Sequence, residues 1–251
     1  MERVLLSELT WPEVKQSLET GQIDTVVITV GATEQHGHHL PLGTDAILAQ
    51  WVGEQLARRL GKALLAPPIA VGRSEHHMAF SGTITIRQET LAAILADYVS
   101  SLARHGFAKI VLVPTHGGNF RPLSAIAEEL RRANPQLKII DYTDLDDFIA
   151  ILYGASGEFG VSPEQSGGHS GESETSMILA VRPDLVRMER AKLGYVGPQE
   201  GLAPALFAKG VGAINPDGIL GDPRPATAEK GRFYLQRLLD RLVEVIVPQL
   251  A

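Results

Sequence analysis

The sequence predicts an α/β protein built on a parallel, doubly wound sheet, and three observations predict it. Thr25-Val26-Val27-Ile28-Thr29-Val30 and Lys109-Ile110-Val111-Leu112-Val113 are apolar β-branched runs. The second is continuous, as in strands that a parallel sheet buries on both faces. Each run passes directly into a glycine- and histidine-bearing loop and then into a segment of helical period, residues 46–60 after the first and about 122–133 after the second. This β-loop-α rhythm with short connections belongs to a doubly wound sheet rather than a bundle or sandwich.

The elements follow in order. Thr10-Trp11-Pro12-Glu13 predicts a helix start, with a threonine cap, proline in the first turn and glutamate three residues on; the helix runs to about Glu19 and stops at Gly21. After the first strand and its loop, Ala46 to Leu60 is helical and ended by Gly61, and Lys62 to Ala66 is a short strand closed by Pro67-Pro68. Residues 69–80 form a polar loop, and Gly82 to Ile86 alternates like an edge strand. Leu91, Ile94, Leu95, Tyr98 and Leu102 share one face of a helix over Glu89 to Arg104. A fourth strand spans Leu137 to Asp141, and a helix Asp144 to Tyr153. Residues 154–171 read as loop, Glu172 to Ala180 as helix, and Thr227 to Val247 as the closing helix. Residues 193–225 are glycine- and proline-rich and take no assignment. With no internal repeat, low-complexity tract or boundary, a single domain over residues 1–251 is expected.

Composition narrows the function. The chain has 251 residues, 44% hydrophobic and 21% charged, which is ordinary for a soluble globular protein with a large core. A net charge of -6 and no Lys/Arg cluster argue against a nucleic-acid or anionic-membrane partner. There is no cysteine, so disulfides, thiolate metal sites and cysteine nucleophiles are excluded and any metal must be held by N and O ligands. No apolar run approaches a membrane span, and MERVLLSELTWPEV is not a signal peptide, so the cytoplasm is the expected compartment.

Gly31 to Asp45, GATEQHGHHLPLGTD, lies between the first strand and its helix. Ligands of open α/β sheets bind at that place, outside the carboxyl ends of the strands. Glu34 and His36, then Asp45, form a carboxylate–imidazole set suited to zinc, manganese or iron. Thr44-Asp45 is also what an ordinary helix first turn contains. Of eight histidines, seven fall in four loops: His36, His38 and His39; His76 and His77; His116; and His169. Such clustering suggests one rim. His116 follows an apolar strand, and Gly117-Gly118 let the chain turn close to a ligand, although His-Gly-Gly-Asn could also be a bare tight turn. His169 and Glu172 stand at i and i+3 and could face one site, whereas Glu172 and Glu174 are also acids that a helix first turn favours.

GATEQHGHHLPLGTD, THGGN at 115–119, HSGESETS at 169–176 and GDPRPATAEKG at 221–231, in this order, resemble the creatininase family of metal-dependent amidohydrolases over nearly the whole chain. The resemblance implies a three-layer α/β/α fold with a mostly parallel sheet, two divalent ions per chain (zinc, manganese or iron), and a homo-oligomer that is a hexamer in many members. It also implies that Glu34, His36, Asp45 and His116 are metal ligands, with Asp45 bridging the ions. Creatininase itself carries a glutamate where this chain has Gly118 and an apolar residue where it has Glu172; Glu172 is therefore expected to supply the missing carboxylate, with Glu174 the alternative. Two ions sharing Asp45 would acidify a bridging water to hydroxide and polarise the scissile carbonyl, and His169 would move the proton. The implied reaction is hydrolysis of a non-peptide C–N bond, in a cyclic amide or formamide, of a small-molecule amide substrate.

Gly168 stands where creatininase has glutamate, His76 where relatives usually have glutamate, and Phe159 is the only aromatic of the 154–168 loop, so creatinine is not the expected substrate. Other family members deformylate pyrimidine intermediates or trim a small precursor peptide, and a peptidase of the latter kind is the runner-up. A non-catalytic metal-binding oligomer is the alternative outside enzymes, opposed by the presence of His169. A nucleotide-binding Rossmann protein is disfavoured because no GxGxxG follows the first strand.

Overall fold

The structure, a computed structural model, describes residues 3–250. Four strands, β1 Thr25–Val30, β2 Ala63–Leu65, β3 Lys109–Pro114 and β4 Lys138–Asp141, form a parallel sheet in the order β2-β1-β3-β4. β1 and β3 pair from Thr25 opposite Lys109 to Val30 opposite Pro114, so their carboxyl ends are level. The loops that follow them, both rich in histidine, therefore emerge side by side.

Parallel strands need crossovers, and helices supply them. α1 Trp11–Glu19, α2 Thr44–Leu60, α3 Gln88–Arg104 and α4 Phe120–Ala133 surround the sheet, followed by α5 Leu145–Gly157, α6 Pro163–Ser166, α7 Glu172–Val181, α8 Leu202–Lys209 and α9 Ala228–Leu250. Side chains alternate across each strand. Val26, Ile28, Ile110 and Leu112 pack with α3 and α4 on one face. Val27, Val111 and Val113 pack with α2, α5, α7 and α9 on the other. Every residue of β1 is buried, which explains its unbroken apolar run and gives the three-layer α/β/α arrangement. Each such aliphatic side chain contributes roughly 1.5–3 kcal/mol on burial. Among the described residues, no helix is long and apolar enough to cross a membrane.

Three regions depart from expectation. Residues 82–86 form no strand; Ile84 and Thr85 make single bridges to Thr33 and Gly72, so the segment pins loops instead of extending the sheet. Residues 163–166, expected as loop, are α6, started by a Ser162–Gln165 capping box with Pro163 in its first turn. Within the unassigned 193–225 stretch lies α8, set between Gly201 and Gly210 at φ 72° and 81°, conformations that glycine enters without strain. α2 starts at Thr44, two residues before the expected Ala46, and Asp45 thus lies in its first turn.

Candidate metal centre

Close backbone packing at the carboxyl edge of the sheet assembles the site. A Cβ on Gly31 would lie 2.7 Å from the Asp45 carbonyl oxygen, so only glycine lets the end of β1 approach the start of α2 this closely. Thr115 Oγ1 donates to the same carbonyl at 2.8 Å. Asn119, fully buried, joins three loops: its amide donates to the Gly31 carbonyl at 2.9 Å and the Val30 carbonyl at 3.3 Å, and accepts from the Arg73 N–H at 3.0 Å.

Glu34, His36, Asp45 and His116 meet in this floor, all buried. His36 Nδ1 lies 3.0 Å from the Glu34 carbonyl, and His116 Nε2 lies 3.0 Å from the Arg73 carbonyl. A carbonyl can only accept, so each ring donates from that nitrogen and keeps the other free. The free His36 Nε2 stands 3.7 Å from Asp45 Oδ1 and 3.5 Å from Glu174 Oε1. The free His116 Nδ1 stands 3.4 Å from Asp45 Oδ2, while Glu34 Oε2 lies 3.2 Å from Nε2, the nitrogen turned to the Arg73 carbonyl. Four groups among the described residues are close enough to hold an ion: Glu34–His76–His77, Glu34–His36–His169, Glu34–Asp45–His116 and His36–Asp45–Glu174; the last two share Asp45, which turns Oδ2 to His116 and Oδ1 to His36.

Glu172, expected as the fifth ligand and a catalytic residue, is not in this cluster. Its carboxylate accepts from Ser176 Oγ at 2.8 Å and Tyr234 OH at 3.0 Å, on the α9 side of α7. Glu174 stands in the cluster instead. The reason is helical phase: residues two apart diverge by roughly 200° around the axis, so one first turn cannot aim both carboxylates at the same site. Gly118 carries no carboxylate, and has no room for one; a Cβ there would lie 2.5 Å from His116 Nε2 and collide with the Arg73 carbonyl oxygen.

His169 is buried against the cluster, its ring centroid 4.3 Å from that of His36 and 4.4 Å from that of His77. Its Nε2 lies between two groups of Gln35, 2.7 Å from the backbone carbonyl and 2.9 Å from the side-chain amide nitrogen, while Nδ1 faces Glu34 Oε1 at 3.7 Å. The Gln35 amide nitrogen sits 2.9 Å from His77 Nδ1, while His77 Nε2 approaches Glu34 Oε1 to 3.1 Å. Sequence placed His77 among the loop histidines of one rim without giving it a role, and did not single out Gln35. Their neighbourhood to Glu34, His36 and the clustered histidines was the available signal. His38 lies apart, exposed, paired with Asp217 at 2.7 Å. His39 is buried beneath α7, 2.9 Å from Thr175 Oγ1.

A cleft of about 320 Å³ opens above the floor formed by Asp45, His77, His116, His169 and Glu174. Leu145, Phe148, Ile149 and Leu152 of α5 wall one side, and Leu202, Leu206 and Phe207 of α8 the other. Among the described residues no lysine or arginine lines it. The walls are largely apolar, with Tyr153 and Gln199 adding polar groups to those of the floor.

The family model described as creatinine amidohydrolase matches residues 7–246. The chain belongs to the creatininase family. It is 36% identical to a mycofactocin precursor peptide peptidase of Mycobacterium ulcerans (strain Agy99), over 88% of this chain and 84% of that protein. It is 29% identical to a creatinine amidohydrolase of Pseudomonas putida, over 97% of this chain and 96% of the relative. A solved manganese creatininase superposes with a TM-score of 0.79 at 28% identity, covering 97% of each chain. A mutant creatininase of Zn–Zn type gives 0.77 at 29%, again over 97% of each.

The donor set of this creatininase-family chain suits divalent cations. Glu34 Oε1 and Oε2, His36 Nε2 and Asp45 Oδ2 are buried and make no hydrogen bond, a cost that cations coordinated by these atoms would remove. Three carboxylates crowd one buried place and need positive charge. Burial pushes the Glu34 carboxyl up to about 7, with Asp45 adding to the effect. Burial opposes a charge on His36, yet Glu174 and Asp45 hold it well above the ordinary imidazole value. Burial likewise opposes ionisation of Glu174, but His36 draws it down to about 2. His169, by contrast, is held well below its ordinary value by burial and by His36.

Proposed function

We propose that this chain is a two-cation hydrolase that cleaves an amide C–N bond of a peptide whose apolar side chains occupy the cleft. The observation that carries the reading is Asp45, which faces two ligand sets at once beneath an apolar cleft. Glu34, Asp45 and His116 would hold one cation, and His36, Asp45 and Glu174 the other. Cations there would supply Lewis-acid polarisation of the scissile carbonyl and water acidic enough to ionise near neutral pH.

The chain's own residues do the rest. His169 would accept a proton at Nδ1, the nitrogen that faces Glu34, and return it to the departing nitrogen. The Gln35 carbonyl, held against Nε2, stabilises the ring while it carries both protons. Leu145, Phe148 and Phe207 bind the apolar part of the substrate and displace water from above the floor. The 36% identity to a precursor peptide peptidase supports a peptide over a small ring.

A second reading, hydrolysis of a non-peptide C–N bond in a small cyclic amide, has its own support. The creatinine amidohydrolase aligns over 97% of this chain, the peptidase over 88%, and a 320 Å³ cleft suits a small ligand. The test is to load the protein with zinc or manganese and offer it synthetic peptides ending in two apolar residues, alongside creatinine and lactams, following products by mass spectrometry. Peptide cleavage is expected. Turnover of the cyclic amides alone would move the assignment to the second reading, and no turnover of either class would overturn amide hydrolysis.

A further inference from the structure

Glu172 is fully buried and ionisable, and the metal centre makes no use of it. Oε1 accepts from Ser176 Oγ at 2.8 Å and lies 3.3 Å from Lys230 Nζ, while Oε2 accepts from Tyr234 OH at 3.0 Å. Ser176 Oγ accepts in turn from the Thr227 N–H at 3.0 Å, and Lys230 Nζ donates to the Pro225 carbonyl at 2.8 Å. One carboxylate therefore ties the first turn of α7 to the entry of α9. The two helices touch backbone to backbone, since a Cβ on Gly231 would collide with the Ser176 carbonyl.

The aim of Glu174 depends on that same turn. Its Oε1 faces His36 Nε2 at 3.5 Å and its Oε2 accepts from the Ser170 N–H at 2.6 Å. A side-chain tip about 6 Å from a helix axis moves about 1 Å for each 10° that the helix rolls. Metal ligands tolerate only about 0.2 Å. With no space for a side chain at Gly118, the nearby loop offers no substitute carboxylate. Contacts that fix the roll of α7 therefore decide whether the second ligand set is complete.

We propose that Glu172 is a positioning residue, whose clamp on Ser176, Tyr234 and Lys230 sets the roll of α7 and holds Glu174 against His36 and Asp45. The inference rests on the two-cation reading above. A buried ion pair kept for stability alone is often replaceable by apolar packing. This one stands two residues from Glu174, and two of its three partners, Lys230 and Tyr234, belong to α9, as a rotational lock requires.

The test uses the full chain, stripped of metal and titrated with zinc against a chelating indicator, to obtain both dissociation constants together with Tm. Glu172→Gln and the milder Tyr234→Phe should weaken the second ion about 10-fold and leave the first within about threefold. Leu238→Ala, a packing change elsewhere on α9, should lower Tm without that selective loss. Unchanged constants in both clamp variants, or the same selective loss in Leu238→Ala, would overturn the positioning role. A wild-type chain that takes up fewer than two zinc ions fails the two-cation reading itself, and the positioning role with it.

Discussion

Glu174→Gln is the substitution that tests the metal centre most directly. Glutamine keeps the side chain's volume and can still accept from the Ser170 N–H, which Glu174 Oε2 engages at 2.6 Å. What it removes is the charge that faces His36 Nε2 at 3.5 Å. With the glutamine's single oxygen on Ser170, the second set falls from two carboxylates and an imidazole to Asp45 and His36 alone. Loss of an outer hydrogen-bond partner already costs roughly 10–100-fold in metal affinity, so loss of a charged ligand should cost about 100-fold or more. At about 1.36 kcal/mol per tenfold, that is about 2.7 kcal/mol. Zinc titration with elemental analysis should show one ion per chain in Glu174→Gln where the wild type holds two. Glu172→Gln, by contrast, should still fill both sites at excess zinc. Two tightly held ions in Glu174→Gln would refute the assignment of Glu174, and loss of the first ion instead would refute the division into two sets.

Other consequences can be measured on the same preparations. His169→Ala should keep both ions and lose about 100- to 10,000-fold in kcat, and wild-type turnover in that variant would remove His169 from proton transfer. Gly118→Ala should weaken the first ion and lower stability by about 1–3 kcal/mol in denaturant titrations, because its Cβ would lie 2.5 Å from His116 Nε2. Chelation should lower the Tm of the loaded protein by about 5–10 °C, from roughly 2.7 kcal/mol of linked binding at a free metal level of 100 Kd. A Tm indifferent to chelator would mean that the folded chain does not prefer the metal.

Much of the fold was legible in residues 25–30 and 109–113, because a strand buried on both faces leaves an unbroken apolar run. The level carboxyl ends of these strands then bring Glu34, His36, Asp45 and His116 together. α6 and α8 were not legible because short helices in glycine- and proline-rich chain are set by what they cover: α8 packs Leu202 and Phe207 over the cleft. The same limit applied to the fifth ligand. Both Glu172 and Glu174 suit a helix first turn, and sequence spacing alone does not say which face of that turn meets the loop.

Helical phase, read from the partners of α7, makes the choice. Ser173, Glu174 and Met177 line the cleft, whereas Glu172 and Ser176 turn to α9. A serine four residues after Glu172, with a tyrosine and a lysine waiting on α9, gives that carboxylate a paired place away from the Asp45 cluster. The acid left over is the one that faces His36. Moving a ligand from a tight loop, where Gly118 has no space for it, onto a helix frees the loop to pack against Arg73 but makes the ligand's position depend on how that helix docks. On the two-cation reading, the second cation site would be tied to the α7–α9 interface, and changes there should be read first in metal affinity.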